Sequence, residues 1–193
     1  MCESSSAFNR CRTRDLQVGF YAYVKATLQL SSASFCTRLS MSAAETNSDR
    51  TAAKATAVAL DSGRPRLLIV DDQDEVRRTV AELLEDTFRI IGMAEDGERA
   101  IELASVLHPD VVVLDICMPV LNGIDAAERL RASGYPTKVV FLSMQDDPEF
   151  VSAALATGAL GYVLKSTVGT ELISAIWKAV EGRRFISPAL CWH

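Results

Sequence analysis

Five polar residues stand where apolar runs end. Asp71 and Asp72 close 67-LLIV-70, Asp115 closes 111-VVVL-114, Ser143 closes 138-KVVFL-142, and Lys165 closes 160-LGYVL-164. Neighbouring carboxylates repel, so the Asp71–Asp72 pair either caps the next helix or holds something positive. Three carboxylates brought to one spot are costly unless a cation cancels them. Magnesium suits that task, because it takes hard oxygen ligands and needs only a few of them from the protein. Held there, it can neutralise a phosphoryl group and fix its orientation. A carboxylate beside it can act as nucleophile and form an aspartyl phosphate. A lysine is a point-charge partner for one phosphate oxygen, and a serine hydroxyl can donate to another. Taken singly, each residue has a plainer role: a helix cap, a turn aspartate, a surface lysine, a loop serine. The chemistry depends on their meeting.

Whether they meet depends on the elements that carry them. The chain from Arg66 alternates short apolar runs with amphipathic stretches. Strands are predicted over 66–70, 88–94, 111–115, 138–143 and 160–165, and helices over 74–86, 98–107, 123–132, 148–158 and 170–182. Val76, Val80, Leu83 and Leu84 share one helical face. The run 111-VVVLD-115 is continuous, as in a strand buried on both sides. Asn122 is placed to cap the third helix, Pro148 opens the fourth and Gly158 ends it. Five strand–helix units in series imply an α/β fold: a five-stranded parallel sheet with helices on both faces, (βα)5 and flavodoxin-like. Ligands of such sheets bind at the carboxyl ends of the strands. All five polar residues fall at that edge.

The remainder of the chain bounds the function. Of 193 residues, 1–63 are rich in Ser, Ala and Thr with little apolar periodicity, and are expected to be a mostly disordered N-terminal extension. A folded domain is expected over 64–183 and a C-terminal tail over 184–193. Residues 1–64 carry 8 Lys/Arg and 5 Asp/Glu, leaving 12 and 20 for 65–193, a net of −8 there. An acidic domain is a poor partner for nucleic-acid phosphates, so no direct nucleic-acid binding is expected. Cys2, Cys11, Cys36, Cys117 and Cys191 are odd in number and contain no C-x-x-C pair. No disulfide framework or zinc site is predicted, and a reduced, cytoplasmic setting follows. No apolar run approaches the ~18–20 residues of a membrane span. The stretch 16-LQVGFYAYV-24 after Arg10, Arg12 and Arg14 is short and broken by Gln17 and Gly19, unlike a secretory signal.

Residues 66–182 resemble the receiver domain of two-component response regulators, of the CheY-like superfamily. The motifs that carry the resemblance are the Asp71–Asp72 pair, 115-DICMP-119 with Gly123 downstream, 142-LSMQDD-147 and 161-GYVLK-165. Each is weak alone; their order, spacing and strand-end placement agree. The resemblance implies that Asp115 is the phosphoacceptor. It implies that Asp71, Asp72 and Asp115 hold Mg2+ with the backbone carbonyl of Cys117, and that Lys165 binds the phosphoryl group. Ser143 resembles the switch hydroxyl, and Tyr162 the switch aromatic that turns inward on activation. The implied donor is a sensor histidine kinase or phosphotransfer protein. The implied output is a protein-interaction surface of the fourth helix, fifth strand and fifth helix, through which a homodimer can form. The chain is thereby expected to be a signalling switch that assists its own phosphoryl transfer and dephosphorylation, not a metabolic enzyme.

The wording of 142-LSMQDD-147 and 161-GYVLKS-166 resembles the LuxR/FixJ-type branch, whose members usually carry a helix-turn-helix output domain. Only 183-RRFISPALCWH-193 follows the last predicted helix, too short for that domain. A receiver without its output is expected; the alternative is the receiver part of a truncated DNA-binding transcription regulator of the LuxR type. A haloacid-dehalogenase-like phosphatase also uses a strand-end aspartate, but that family wants a second acid two residues on, where Cys117 stands. A scaffold that binds partners without phosphorylation has no need of the acidic pair, acceptor and lysine together. Where relatives often carry an acidic residue and a proline after the lysine, this chain has 166-STVG-169.

Overall fold

A computed structural model describes residues 63–190; the extension predicted over 1–63 lies, but for Gly63, outside the described residues. The elements are β1 (Arg66–Val70), α1 (Asp74–Leu84), β2 (Arg89–Ala94), α2 (Gly97–Leu107), β3 (Val111–Leu114), α3 (Gly123–Ala132), β4 (Lys138–Ser143), α4 (Pro148–Ala156), β5 (Gly161–Leu164), α5 (Val168–Val180) and β6 (Phe185–Ile186). The strands form one parallel sheet in the order β2-β1-β3-β4-β5-β6.

Strand periodicity divides each apolar run between two cores. Leu68, Val70, Val112, Leu114 and Phe141 face one side, where α2, α3 and α4 supply Ala100, Ala104, Ala126, Leu130 and Ala154. Leu67, Ile69, Val111, Val113, Val140 and Leu142 face the other, under Val76, Val80 and Leu84 of α1 and Leu172 and Ile176 of α5. Burial of each large aliphatic side chain is worth about 1.5–3 kcal/mol, so both cores fix the register of β1 and β3. Small alanines on α2, α3 and α4 let those helices lie close to the sheet. Trp177 of α5 packs on Phe88 at 5.3 Å between ring centroids and remains 41 % exposed, a packing role with one side open to solvent.

Helix ends follow local chemistry. The Asn122 side chain accepts the Asp125 N–H at 2.9 Å, as its position predicts, and Pro148 occupies the first turn of α4 behind the Asp147 cap. The five predicted strands are joined by a sixth, short one: Phe185–Ile186, placed in the tail by sequence, pair with Gly161 and Tyr162. A two-residue strand is too short to show any alternation, which is why its sequence gives no signal. Neither aspartate of the acidic pair is the N-cap of α1; that residue is Gln73, whose side chain makes no capping bond.

Candidate functional site

The parallel ladder runs one residue past the strands. Asp115 N–H donates to Val70 O at 2.9 Å, and Asp71 N–H to Ala94 O at 3.2 Å. These bonds set Asp71 and Asp115 side by side at the carboxyl edge of the sheet. Oxygens of Asp71, Asp72 and Asp115 lie within 4.8 Å of one another. Asp71 and Asp115 are buried and Asp72 is exposed, so the cluster opens to solvent on the Asp72 side.

Lys165 reaches the cluster from the end of β5. Its Nζ lies 2.6 Å from Asp71 Oδ2 and 3.2 Å from Asp115 Oδ2, with the side chain 2 % exposed. The remaining oxygens are held locally: Asp71 Oδ1 accepts the Gln73 N–H at 3.0 Å, and Asp115 Oδ1 accepts the Ile116 N–H at 2.8 Å. Burial, reinforced by Asp71 and opposed by Lys165, pushes the Asp115 carboxyl up to about 6. Partial burial and the Asp71 charge raise Asp72 as well. Burial acts against the Lys165 ammonium, yet Asp115 and Asp71 outweigh it and raise its pKa above the ordinary value.

Three carboxylates against one ammonium leave a charge of −2, the deficit a divalent cation cancels. Oxygens on opposite sides of a magnesium ion stand about 4 Å apart, so the 4.8 Å cluster needs only small side-chain adjustments to share one. Hard oxygen donors, buried on one side and open on the other, fit an ion that keeps several of its waters. Asp71, Asp72 and Asp115 would hold it.

Gly123 completes the frame from α3. Its N–H donates to Ile116 O at 2.9 Å, and a Cβ there would stand 1.9 Å from Asp115 O. Only a glycine lets the helix approach the Asp115 backbone this closely.

At the neighbouring strand ends, Ser143 and Tyr162 meet through Gln145. The Gln145 N–H donates to Ser143 Oγ at 3.2 Å, and Tyr162 donates its hydroxyl to Gln145 O at 2.8 Å. Tyr162 is fully buried beside Phe141, 6.3 Å between ring centroids, so the aromatic stands turned inward, and burial raises its phenol pKa. Structure thus brings Asp71, Asp72, Asp115 and Lys165 together, and joins Ser143 to Tyr162 beside them. Gln145 escaped sequence reasoning; its position two residues after Ser143, the spacing of a serine turn, was the available signal. Cys117 sits two residues after Asp115 in the same loop. Its sulfur accepts the Gln145 side-chain amide at 3.5 Å.

Comparison with known proteins agrees with this fold. The response regulator receiver domain family matches residues 67–177. The transcriptional regulatory protein DegU of Brevibacillus brevis is 36% identical over 131 residues, covering 67% of this chain and 56% of DegU. The nitrate/nitrite response regulator NarL of Escherichia coli is 35% identical over 126 residues, covering 64% of this chain and 58% of NarL. The receiver domain of the putative response regulator NarL from Mycobacterium tuberculosis superposes with a TM-score of 0.60 at 34% identity, over 62% of this chain and 98% of that one. A LuxR-family two-component response regulator from Aurantimonas gives 0.64 at 32% identity, over 66% and 93%.

The fold is that of a signalling domain. The chain belongs to the response regulator receiver family, with the flavodoxin-like sheet of that class; the receiver domain of two-component response regulators is a signalling switch. Receiver domains take phosphoryl groups from histidine kinases or phosphotransfer proteins and bind Mg2+ at an acidic pocket. The chain spans less than two-thirds of the length of the DegU and NarL relatives.

Proposed function

We propose that a carboxylate oxygen of Asp115 accepts the phosphoryl group of a sensor histidine kinase or phosphotransfer protein, forming a bond to phosphorus as the donor's P–N bond breaks. Support comes from one observation: Lys165 bridges Asp71 and Asp115 inside a three-carboxylate cluster that still lacks two positive charges. Mg2+, when held by Asp71, Asp72, Asp115 and the Cys117 carbonyl, supplies that charge and orients the transferring oxygens. Lys165 stabilises the charge on the phosphoryl oxygens and keeps Asp115 ionised, since a protonated carboxyl is no nucleophile. Ser143 donates to a phosphoryl oxygen and releases its hold on Gln145; Tyr162, bonded to the same residue, reports the change. The surface of α4, β5 and α5 then shifts between two states, and a homodimer forms there. The same site assists loss of the phosphoryl group to water. The domain acts in the cytoplasm, and its net −8 over residues 65–193 keeps it from contacting nucleic acid itself.

The names of the relatives and the unmatched part of their length favour a second reading. In it, this receiver regulates a DNA-binding output domain of the LuxR type. Labelling with a small acyl-phosphate donor in the presence of Mg2+, followed by mass spectrometry, tests the main reading. Wild type should carry the modification on Asp115 and Asp115→Asn should carry none. Full labelling of the variant at another residue would sink the assignment.

A further inference from the structure

β5 ends at Leu164, and Lys165 opens a 3-10 turn, Lys165–Thr167, that runs straight into α5. A lysine on a flexible four-carbon stem places its ammonium only as well as the backbone beneath it is held. That backbone is gripped by the segment after α5. Phe185 N–H donates to Leu160 O at 2.8 Å and Ser187 N–H to Tyr162 O at 2.9 Å, extending the ladder of β6 along β5. The next β5 donor, Leu164 N–H, is served by a side chain: it donates to Ser187 Oγ at 3.0 Å. Ser187 in turn donates its hydroxyl to the Glu171 carboxylate in the first turn of α5. Thr167 Oγ1 lies 3.5 Å from the same hydroxyl and donates to Leu164 O at 3.2 Å. Ser187 is fully buried, and Leu190 just beyond it is buried in the core. One hydroxyl therefore ties together the last residue of β5, the turn and the start of α5, the three pieces that bracket Lys165.

We propose that Ser187 is a positioning residue for phosphoryl transfer, fixing the backbone from which Lys165 reaches Asp71 and Asp115; this rests on the function proposed above. The segment after α5 is on this account part of the phosphorylation site, although none of its side chains touches the reacting atoms. Ser187→Ala removes the acceptor of Leu164 N–H and lets the turn drift. Because misplacement by about 1 Å can cost on the order of 10²-fold in rate, Ser187→Ala should slow labelling of Asp115 by a small acyl-phosphate donor by roughly tenfold or more. Magnesium affinity, which depends on the carboxylates, should be unchanged. The discriminating measurement is a double-mutant cycle. If Ser187 acts through Lys165, the Ser187→Ala/Lys165→Ala double variant labels no more slowly than Lys165→Ala alone. Additive losses, or a wild-type rate in folded Ser187→Ala, overturn the proposal. Should Ser187→Ala fail to fold, Glu171→Ala, which removes only the acceptor of the Ser187 hydroxyl, enters the same cycle. A second readout needs no phosphoryl transfer: the 15N resonance of the Lys165 amine in the unphosphorylated protein should shift in Ser187→Ala, and an unmoved resonance overturns the proposal. That readout decides the role of Ser187 even if wild type is labelled away from Asp115, the outcome that instead sinks the proposed function.

Discussion

Replacing Gly123 by alanine tests how rigidly α3 and the acceptor are joined. The added Cβ would stand 1.9 Å from Asp115 O, 2.9 Å from Asp115 C and 2.9 Å from Ile116 Cα. All three are backbone atoms, so no side chain can swing away. Ordinary contact begins at 3.4 Å, so helix and loop must separate by 1.5 Å. α3 resists, because Ala126, Ala127 and Leu130 seat it in the core. Asp115 resists as well, through its N–H bond to Val70 O. If the two share the displacement, the acceptor backbone moves by more than half an ångström and the Gly123–Ile116 hydrogen bond is strained. Forced overpacking of this kind costs about 1–3 kcal/mol of stability, against a helix propensity that by itself favours alanine over glycine by roughly 0.5–1 kcal/mol. Misplacing the nucleophile by such a distance should slow phosphorylation by about 10- to 100-fold. The assay is the initial rate of Asp115 labelling at saturating magnesium, alongside thermal unfolding of the same variant. A rate equal to wild type with lowered stability would refute the reasoning, since the strain would then be absorbed without reaching the carboxylate.

Two further outcomes follow from the charges. Asp115 rises from the usual carboxylate value to about 6 on folding and Asp72 is raised too; the folded chain therefore binds protons more tightly than the unfolded one between about pH 4 and 6, so without magnesium stability falls as pH rises through that window. Millimolar magnesium should raise the melting temperature at pH 8 and hardly at pH 4.5, and no magnesium response at pH 8 would show that the cluster holds no ion. Lys165→Ala leaves Asp71 and Asp115 buried without their cation and should lower metal-free stability by about 3–5 kcal/mol. With magnesium present it should still be labelled, more slowly, but without the change in amide exchange over residues 143–180 seen in wild type; identical exchange changes would show that Lys165 does not couple phosphorylation to that surface.

The polar residues at strand ends were legible because the sheet buries both faces. A run such as Val111–Leu114 must be apolar throughout, so Asp115 marks where the strand leaves the core, and likewise Asp71, Ser143 and Lys165. Patterning thus located the edge before any distance was known. What patterning could not supply is anything set by contact between distant segments. Ser187 and Glu171 lie 16 residues apart, and nothing in 183-RRFISPAL-190 distinguishes a strand from a tail. α5 begins at Val168, two residues before the predicted start, because the turn from Lys165 flows into it without a capping bond. The role of Gly123 was visible as a need for close backbone approach, but the 1.9 Å margin is a property of the packed helix alone.

The acidic pair that follows β1 shows why this edge is charged at all. As a helix cap, one aspartate would be enough, and it would occupy the N-cap position; Gln73 occupies it instead. Asp71 spends one oxygen on the Gln73 N–H and the other on Lys165, while Asp72 stands exposed beside it. Lys165 in turn divides its charge between Asp71 and Asp115. A buried ammonium shared by two carboxylates, with a third carboxylate at the rim, is under-neutralised by design of the fold: the sheet forces the strand ends together and α1 offers no cation to the cluster's carboxylates, since Arg77 is turned to Asp74 and the Asp71 carbonyl. A site left at −2 is destabilised while empty and stabilised by whatever positive charge enters. A divalent ion bound there would relieve that repulsion, and a phosphoryl group on Asp115, as proposed, would renew the demand on Lys165. On that proposal the same residue would sense both events, and its covalent route to the rest of the molecule is the backbone between β5 and α5.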